Sequence, residues 1–220
     1  MNTENNNITR FCGTVCGEIR YSHSVFSERF YQLTLAVQRL SGQADLLPVT
    51  VSERLLSPLC LRAGMRLCVS GQLRSYHIFS QGRSRLVLRV FAREIAEAEA
   101  GLPDENSVYL RGCLCKPPIY RVTPFSREIA DVLLAVNRAY GKSDYIPCIC
   151  WGRNARFCRD LDAARPMSIT GRLQSREYQK HLEDGSTETR VAYEVSAARL
   201  DFSPEEGESP ETETDLIPEI

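Results

Sequence analysis

Apolar and polar positions alternate with a period of two along most of this 220-residue chain. That period marks half-buried strands; an amphipathic helix would repeat near 3.6. The clearest run is residues 145–151. Tyr145, Pro147, Ile149 and Trp151 share one face there, and Ile146, Cys148 and Cys150 share the other. In residues 167–176 and just beyond, Ile169, Gly171 and Leu173 point one way, and Arg172, Gln174, Arg176 and Tyr178 point the other. The same reading predicts strands at 107–115, 130–138 and 190–200. Between the third and fourth strands of this set, Ala155, Cys158 and Leu161 fall at steps of three, which predicts a helix over 153–163.

The first half of the chain repeats this pattern. Leu35-Ala36-Val37-Gln38-Arg39 matches Leu134-Ala135-Val136-Asn137-Arg138 at an offset of 99, as Leu47-Pro48 matches Ile146-Pro147 and Gly13 matches Gly112. Gly71-Gln72-Leu73-Arg74-Ser75 matches Gly171-Arg172-Leu173-Gln174-Ser175 at an offset of 100, and residues 85–95 match 190–200 at 105. Matches that keep their order over this length indicate a duplication whose second copy has gained residues in its loops. Five strands with a helix between the third and fourth is the layout of an OB-fold. The expected fold is therefore all-β: tandem OB-fold five-stranded barrels, each with a short helix between strands 3 and 4, and a disordered acidic C-terminal tail. The first copy carries Pro58 in its helical segment, so that helix should be short or broken. The expected boundaries are 9–98 for the divergent first copy, 99–106 for a Gly- and Pro-containing linker, 107–202 for the second copy and 203–220 for the tail.

Charge adds an asymmetry. Of 28 acidic residues, 8 lie in residues 201–220, where none of the 27 basic residues is found, so the preceding 200 residues carry a net charge of +7. A basic body with an acidic end points to a polyanionic partner. No apolar run is long enough to span a membrane, and the polar N-terminus lacks a signal pattern, so a cytoplasmic protein is expected. The 9 cysteines are expected to be reduced core residues, since none shows zinc-knuckle spacing and His23, His77 and His181 are scattered. No metal or cofactor is expected. Neither a nucleophile motif nor a Gly-rich phosphate loop appears, so an enzyme is not expected.

A strand face that carries Tyr, Trp and Arg together suits single-stranded nucleic acid, with rings stacking on bases and guanidiniums pairing with phosphates. Aromatics on strands are more often core, and strand arginines are more often a solvated face. Arg172 and Arg176 on the neighbouring strand favour binding, because a core face would not carry two guanidiniums.

The second copy also resembles the bacterial single-stranded DNA-binding protein family, in its two-OB-fold form. The resemblance rests on Lys116-Pro117-Pro118-Ile119-Tyr120-Arg121-Val122-Thr123-Pro124, LAVNRAY, DYIPCICWGRNA, GRLQSREY and AYEV, in the family's order across 107–202. It implies an OB barrel, single-stranded DNA as ligand, no catalysis, and base-stacking rings at Tyr140, Tyr145, Trp151 and Tyr178. With the basic residues of the same surfaces, the expected contacts are Arg121, Arg138, Tyr140, Tyr145, Trp151, Arg153, Arg172, Arg176, Tyr178 and Lys180, joined by Arg74 and Tyr76 of the first copy.

Two departures stand out. Leu46 and Ser52 replace Tyr145 and Trp151 in the first copy, which should then contact backbone more than bases or serve in assembly; its Tyr76 is set against Tyr178. The tail residues Asp215, Leu216, Ile217, Pro218 and Ile220, expected to dock replication or repair partners, include Glu219 after Ile-Pro and lack the family's terminal Phe. The resemblance also implies four barrels per assembly, hence a homodimer. Replication, recombination and repair are the expected settings. The alternatives are an OB-type protein–protein assembly module of a primosome or of plasmid maintenance, and an RNA-binding protein.

Overall fold

The computed structural model describes residues 5–59, 61–80, 83–181 and 185–202. The first barrel comprises β1 (Asn7–Val25), β2 (Glu28–Gln38), β3 (Ala44–Ser52), α1 (Glu53–Leu56), β4 (Arg66–Ser80) and β5 (Arg83–Glu97). The second comprises β6 (Glu105–Leu114), β7 (Ile119–Val122), β8 (Glu128–Asn137), β9 (Ser143–Trp151), α2 (Arg153–Cys158), β10 (Pro166–His181) and β11 (Thr187–Asp201). The strands follow the order β2-β3-β5-β4-β1-β6-β10-β11-β9-β8-β7, and added pairings β2–β1 and β6–β8 close each half into a barrel. The tandem OB arrangement is thus the observed fold. The inward positions of the alternation fill the core. Phe11, Leu35, Leu47, Leu67 and Leu73 are fully buried in the first barrel, as are Leu110, Leu134, Ile146, Ile169 and Leu173 in the second.

Several boundaries differ from expectation. The last two residues of the expected linker already belong to β6, because Glu105 and Asn106 pair with Cys12 and Phe11 of β1. The hairpin opening the second copy contains a separate strand, β7: Pro117 and Pro118 offer no N–H to a ladder and break the path that β1 follows through a bulge near Gly17. Helix α1 is a single turn, as Pro58 implied. Helix α2 ends at Cys158 instead of 163, because the chain turns back at Ala164 (φ 64) and its N–H donates to the Leu114 carbonyl at 2.8 Å. The first barrel makes the same closure with Gly64, whose N–H donates to Val15 at 2.9 Å. The cysteines are not all reduced. Cys12 and Cys68 are directly opposed on β1 and β4, with Cα atoms 4.2 Å apart, and are joined by a disulfide. They lie 56 residues apart in sequence, and only the strand register brings them together.

The barrels meet along β1 and β6, which pair antiparallel from Asn7↔Leu110 to Cys12↔Glu105. Two buried carboxylates complete this joint. Asp45, between β2 and β4 in sequence, accepts the Ser175 N–H of the second barrel at 3.0 Å. Asp144, its counterpart at offset 99, accepts the Ser75 N–H of the first barrel at 2.7 Å. The serine hydroxyls reciprocate: Ser175 Oγ accepts from Leu46 N (3.3 Å) and Ser75 Oγ from Tyr145 N (2.7 Å). Both carboxylates are 0% exposed. Two arginines hold each one: Arg39 and Arg172 at Asp45, Arg74 and Arg138 at Asp144.

Removing one of these carboxylates strands its partners inside the joint. Asp144→Ala leaves the Ser75 N–H and Arg74 uncompensated and should cost about 3–5 kcal/mol, the usual penalty for breaking a buried pair. Urea unfolding of the full chain measures it. A loss under about 1 kcal/mol would mean that the two barrels do not depend on this contact.

Candidate nucleic-acid interface

Each barrel carries a groove on the face that the outward positions of its strands line. In the second barrel, β9 supplies Trp151 and Ile149, β8 supplies Ile129 and Asp131, β7 supplies Arg121, and β10 supplies Arg172, Gln174 and Arg176. The groove holds about 360 Å³. Trp151 is 38% exposed and cross-strand from Ile129, so one part of the indole rests on apolar side chains and the rest meets solvent. That suits a ring meant to take a base on its open face.

The expected site residues do not gather in a single place. Trp151, Arg121, Arg172 and Arg176 share this groove. Tyr145, 46% exposed, lies on the Trp151 face of β9 but at its other end, and Tyr140 is 99% exposed in a 3-10 turn (Ala139–Gly141) at φ 61. Tyr178 lies in a separate cleft with Pro48, Pro147 and Arg190, between the hairpins β4–β5 and β10–β11. Burial pushes the Tyr193 hydroxyl up in that cleft, partly opposed by Arg89 and Arg85. Arg153 is exposed on α2. The Lys180 side chain and the tail residues Asp215, Leu216, Ile217, Pro218 and Ile220 lie outside the described residues.

Sequence reasoning missed two carboxylates. Asp131 pairs with Arg121 at 2.9 Å, and Glu194 lies 4.0 Å from Arg176 while accepting from Gln174 Nε2 at 2.8 Å. They partly offset the arginines of the second groove, and Asp131 orients Arg121, whose Nε donates to it at 3.0 Å. The strand alternation carried the signal, since Asp131 and Glu194 occupy outward positions beside Ile149 and Arg176.

The first barrel has the larger groove, about 610 Å³, lined by Ser22, His23, Gln32, Thr50, Arg74, Tyr76, Arg89, Phe91 and Arg138. Leu46 and Ser52 do leave their positions without rings, but rings enter from other strands. His23 stacks on Phe30 (centroids 5.0 Å apart, planes at 13°), and Phe30 meets Phe91 at 5.6 Å. Arg89 Nε donates to the Tyr76 hydroxyl at 2.9 Å, which holds that ring at the wall. No carboxylate appears in this lining among the described residues. The ladder register also corrects one pairing. Tyr76 faces Val87 where Arg176 faces Ala192, so the counterpart of Tyr76 is Arg176, and Tyr178 corresponds to Ile78. Arg74, Arg138 and Arg172 serve both features, since each lines a groove and each holds a buried carboxylate of the joint.

Known proteins resemble this chain in sequence and fold. Residues 105–203 match the single-strand binding protein family model. Single-stranded DNA-binding protein 2 of Chlorobaculum tepidum is 31% identical over 111 residues, covering 46% of this chain and 72% of that protein. Single-stranded DNA-binding protein 1 of Staphylococcus aureus is 37% identical over 81 residues, and there the match spans 48% of the relative's length. The wild-type single-stranded DNA-binding protein of Thermus aquaticus superposes with a TM-score of 0.71 at 22% identity, covering 90% of this chain and 93% of that one, which shows the same fold across both barrels. By the family match in its second half and the extent of its likeness to the Chlorobaculum protein, this chain belongs to the single-strand binding protein family.

Proposed function

We propose that this chain binds single-stranded DNA without strong sequence preference and protects it during replication, recombination and repair, in the cytoplasm with the nucleoid, as a binding protein without catalytic activity. The observation that supports this best is Trp151: a half-exposed indole on an apolar bed, with Arg121, Arg172 and Arg176 in the same groove. Every base offers a π-face, so such a ring tolerates sequence, and the arginines follow the phosphates. Trp151 is the only Trp, so intrinsic fluorescence reports on it directly. Oligo(dT) should quench it, and Trp151→Ala should weaken binding by about 1–3 kcal/mol. Unchanged fluorescence at saturating oligo(dT) rules out stacking at this ring. The same titration with oligo(U) separates a DNA protein from an RNA protein, because only RNA offers a 2′-OH to the groove.

We further propose a homodimer that presents four barrels. One continuous strand system already runs through both barrels by way of β1 and β6. Its outer face carries the exposed Ile8 opposite the half-buried Tyr109, a pair that a second copy would cover. Light scattering at micromolar concentration should give twice the 24.8 kDa chain mass. A monomer there would reject the arrangement.

Residues 203–220 are assigned to partner recruitment through Asp215, Leu216, Ile217, Pro218 and Ile220, and to mild competition with DNA. The support is acidic composition beside a basic body. Exposed charges separated by more than a Debye length of about 8 Å are screened at physiological salt. Deleting 203–220 should therefore raise oligo(dT) affinity at low salt and leave it unchanged at high salt. Equal affinities at both would remove the competition.

A further inference from the structure

The two grooves share an unexpected feature. Each is lined by one arginine that belongs to the other barrel. Arg138, just past β8 in the second barrel, lines the groove of the first with Arg74, Tyr76 and Phe91. Arg39, just past β2 in the first barrel, lines the groove of the second with Trp151 and Arg176. The two arginines are repeat counterparts at offset 99. The exchange is thus a property of the joint and not an accident of one side chain.

The same carboxylates that lock the barrels together aim these arginines. Arg39 Nε donates to Asp45 Oδ2 at 2.8 Å, and Arg138 Nε lies 3.5 Å from Asp144 Oδ2. Each Asp in turn accepts a backbone N–H from the opposite barrel, at Ser175 or Ser75. A guanidinium tied to such a carboxylate is carried across the seam to the neighbouring groove. Its charge is only partly cancelled, because each carboxylate serves two arginines, one from each barrel. Both arginine side chains keep part of their surface open, 23% for Arg39 and 31% for Arg138. Arg39, hydrogen-bonded to Asp45, presents fixed donors, which match phosphate geometry better than a mobile ammonium would, whereas Arg138 is placed by its ion pair with Asp144 alone.

We propose that the grooves are composite: Arg39 completes the second barrel's site and Arg138 the first barrel's, each by contacting a phosphate of the strand bound on the opposite barrel. A single strand would then meet residues of both barrels even where it occupies only one groove. The inference rests on the single-stranded DNA reading and adds that neither barrel holds a complete site by itself.

The test uses the full chain, oligo(dT), Trp151 fluorescence and a salt series. For single strands the slope of log K against log salt is about −0.7 per phosphate contact. Arg39→Gln can still hydrogen-bond Asp45, and Arg172 and the Ser175 N–H keep that carboxylate partnered. The expected result is roughly a five- to tenfold weaker affinity near 0.1 M salt, and a slope shallower by about 0.7. Arg39→Lys, which keeps the charge, should restore most of the slope. Loss of affinity with an unchanged slope, or equal loss in the Gln and Lys variants, would show that Arg39 acts only through the joint and would overturn the proposal. So would unchanged affinity in Arg39→Gln. Wild-type protein that does not bind oligo(dT) sinks the functional reading itself, whereas wild-type binding with an unaltered Arg39→Gln slope sinks this inference alone.

Discussion

Two carboxylates with no access to water hold this structure in its two-barrel form. Taking Asp45 and Asp144 out of solvent is costly, and the cost is offset only when every lone pair finds a donor. Neither barrel supplies all the donors. Asp45 depends on Ser175 and Arg172 from the second barrel, and Asp144 on Ser75 and Arg74 from the first. Pulling the barrels apart therefore exposes more than apolar surface. It also breaks the contacts of Ser175 and Arg172 with Asp45 and of Ser75 and Arg74 with Asp144, leaving each carboxylate one arginine of its own barrel. The β1–β6 ladder sets the register between the barrels, and the carboxylates keep them from rotating about it.

This joint accounts for what the duplication has kept. In the motif shared by Gly71-Gln72-Leu73-Arg74-Ser75 and Gly171-Arg172-Leu173-Gln174-Ser175, the glycine permits barrel closure: a Cβ would lie 2.2 Å from the Phe91 carbonyl oxygen at Gly71 and 2.1 Å from that of Ser196 at Gly171. The leucine enters the core, and its backbone pairs with an asparagine side chain, Asn7 or Asn106. The serine reaches the opposite carboxylate. The second and fourth positions exchange Arg and Gln, yet an arginine still meets each Asp, through Arg74 in one copy and Arg172 in the other. Only the total donor count at the joint is constrained, so the side chain that provides it has been free to move by two residues along the strand.

Much of the fold was legible in the sequence because strand alternation and the repeat are local or periodic signals. The alternation at 145–151 placed Ile146, Cys148 and Cys150 in the core and left Tyr145 and Trp151 on the solvent side, and Pro58 foretold a one-turn α1. The misses share one cause, contacts between residues far apart in sequence. The Cys12–Cys68 disulfide depends on the β1–β4 register, and the end of α2 depends on a hydrogen bond from Ala164 to Leu114. The roles of Arg74, Arg138 and Arg172 at the joint depend on carboxylates of known sequence but unknown depth. A guanidinium looks the same in a sequence whether its carboxylate is buried beside it or absent, so the additional role of these arginines at the joint left no local signal.

The fixed joint also lets the groove walls differ. In the second barrel the ring comes from β9, as Trp151, and its bulk together with the Arg121–Asp131 pair narrows the groove. In the first barrel Ser52 stands at that position and caps α1, where its hydroxyl accepts the Arg54 N–H at 3.1 Å. A tryptophan there would forfeit the cap, so the rings lining the first groove arise from β1, β4 and β5 as His23, Tyr76 and Phe91, with Phe30 of β2 behind His23 and Phe91, and the groove stays wide. In the second barrel Gly152 at φ 52 starts α2 without a side-chain cap, which leaves position 151 free for a ring. The choice between capping a helix and presenting an indole is thus made at one residue in each copy, and it decides from which strands each groove draws its aromatic surface.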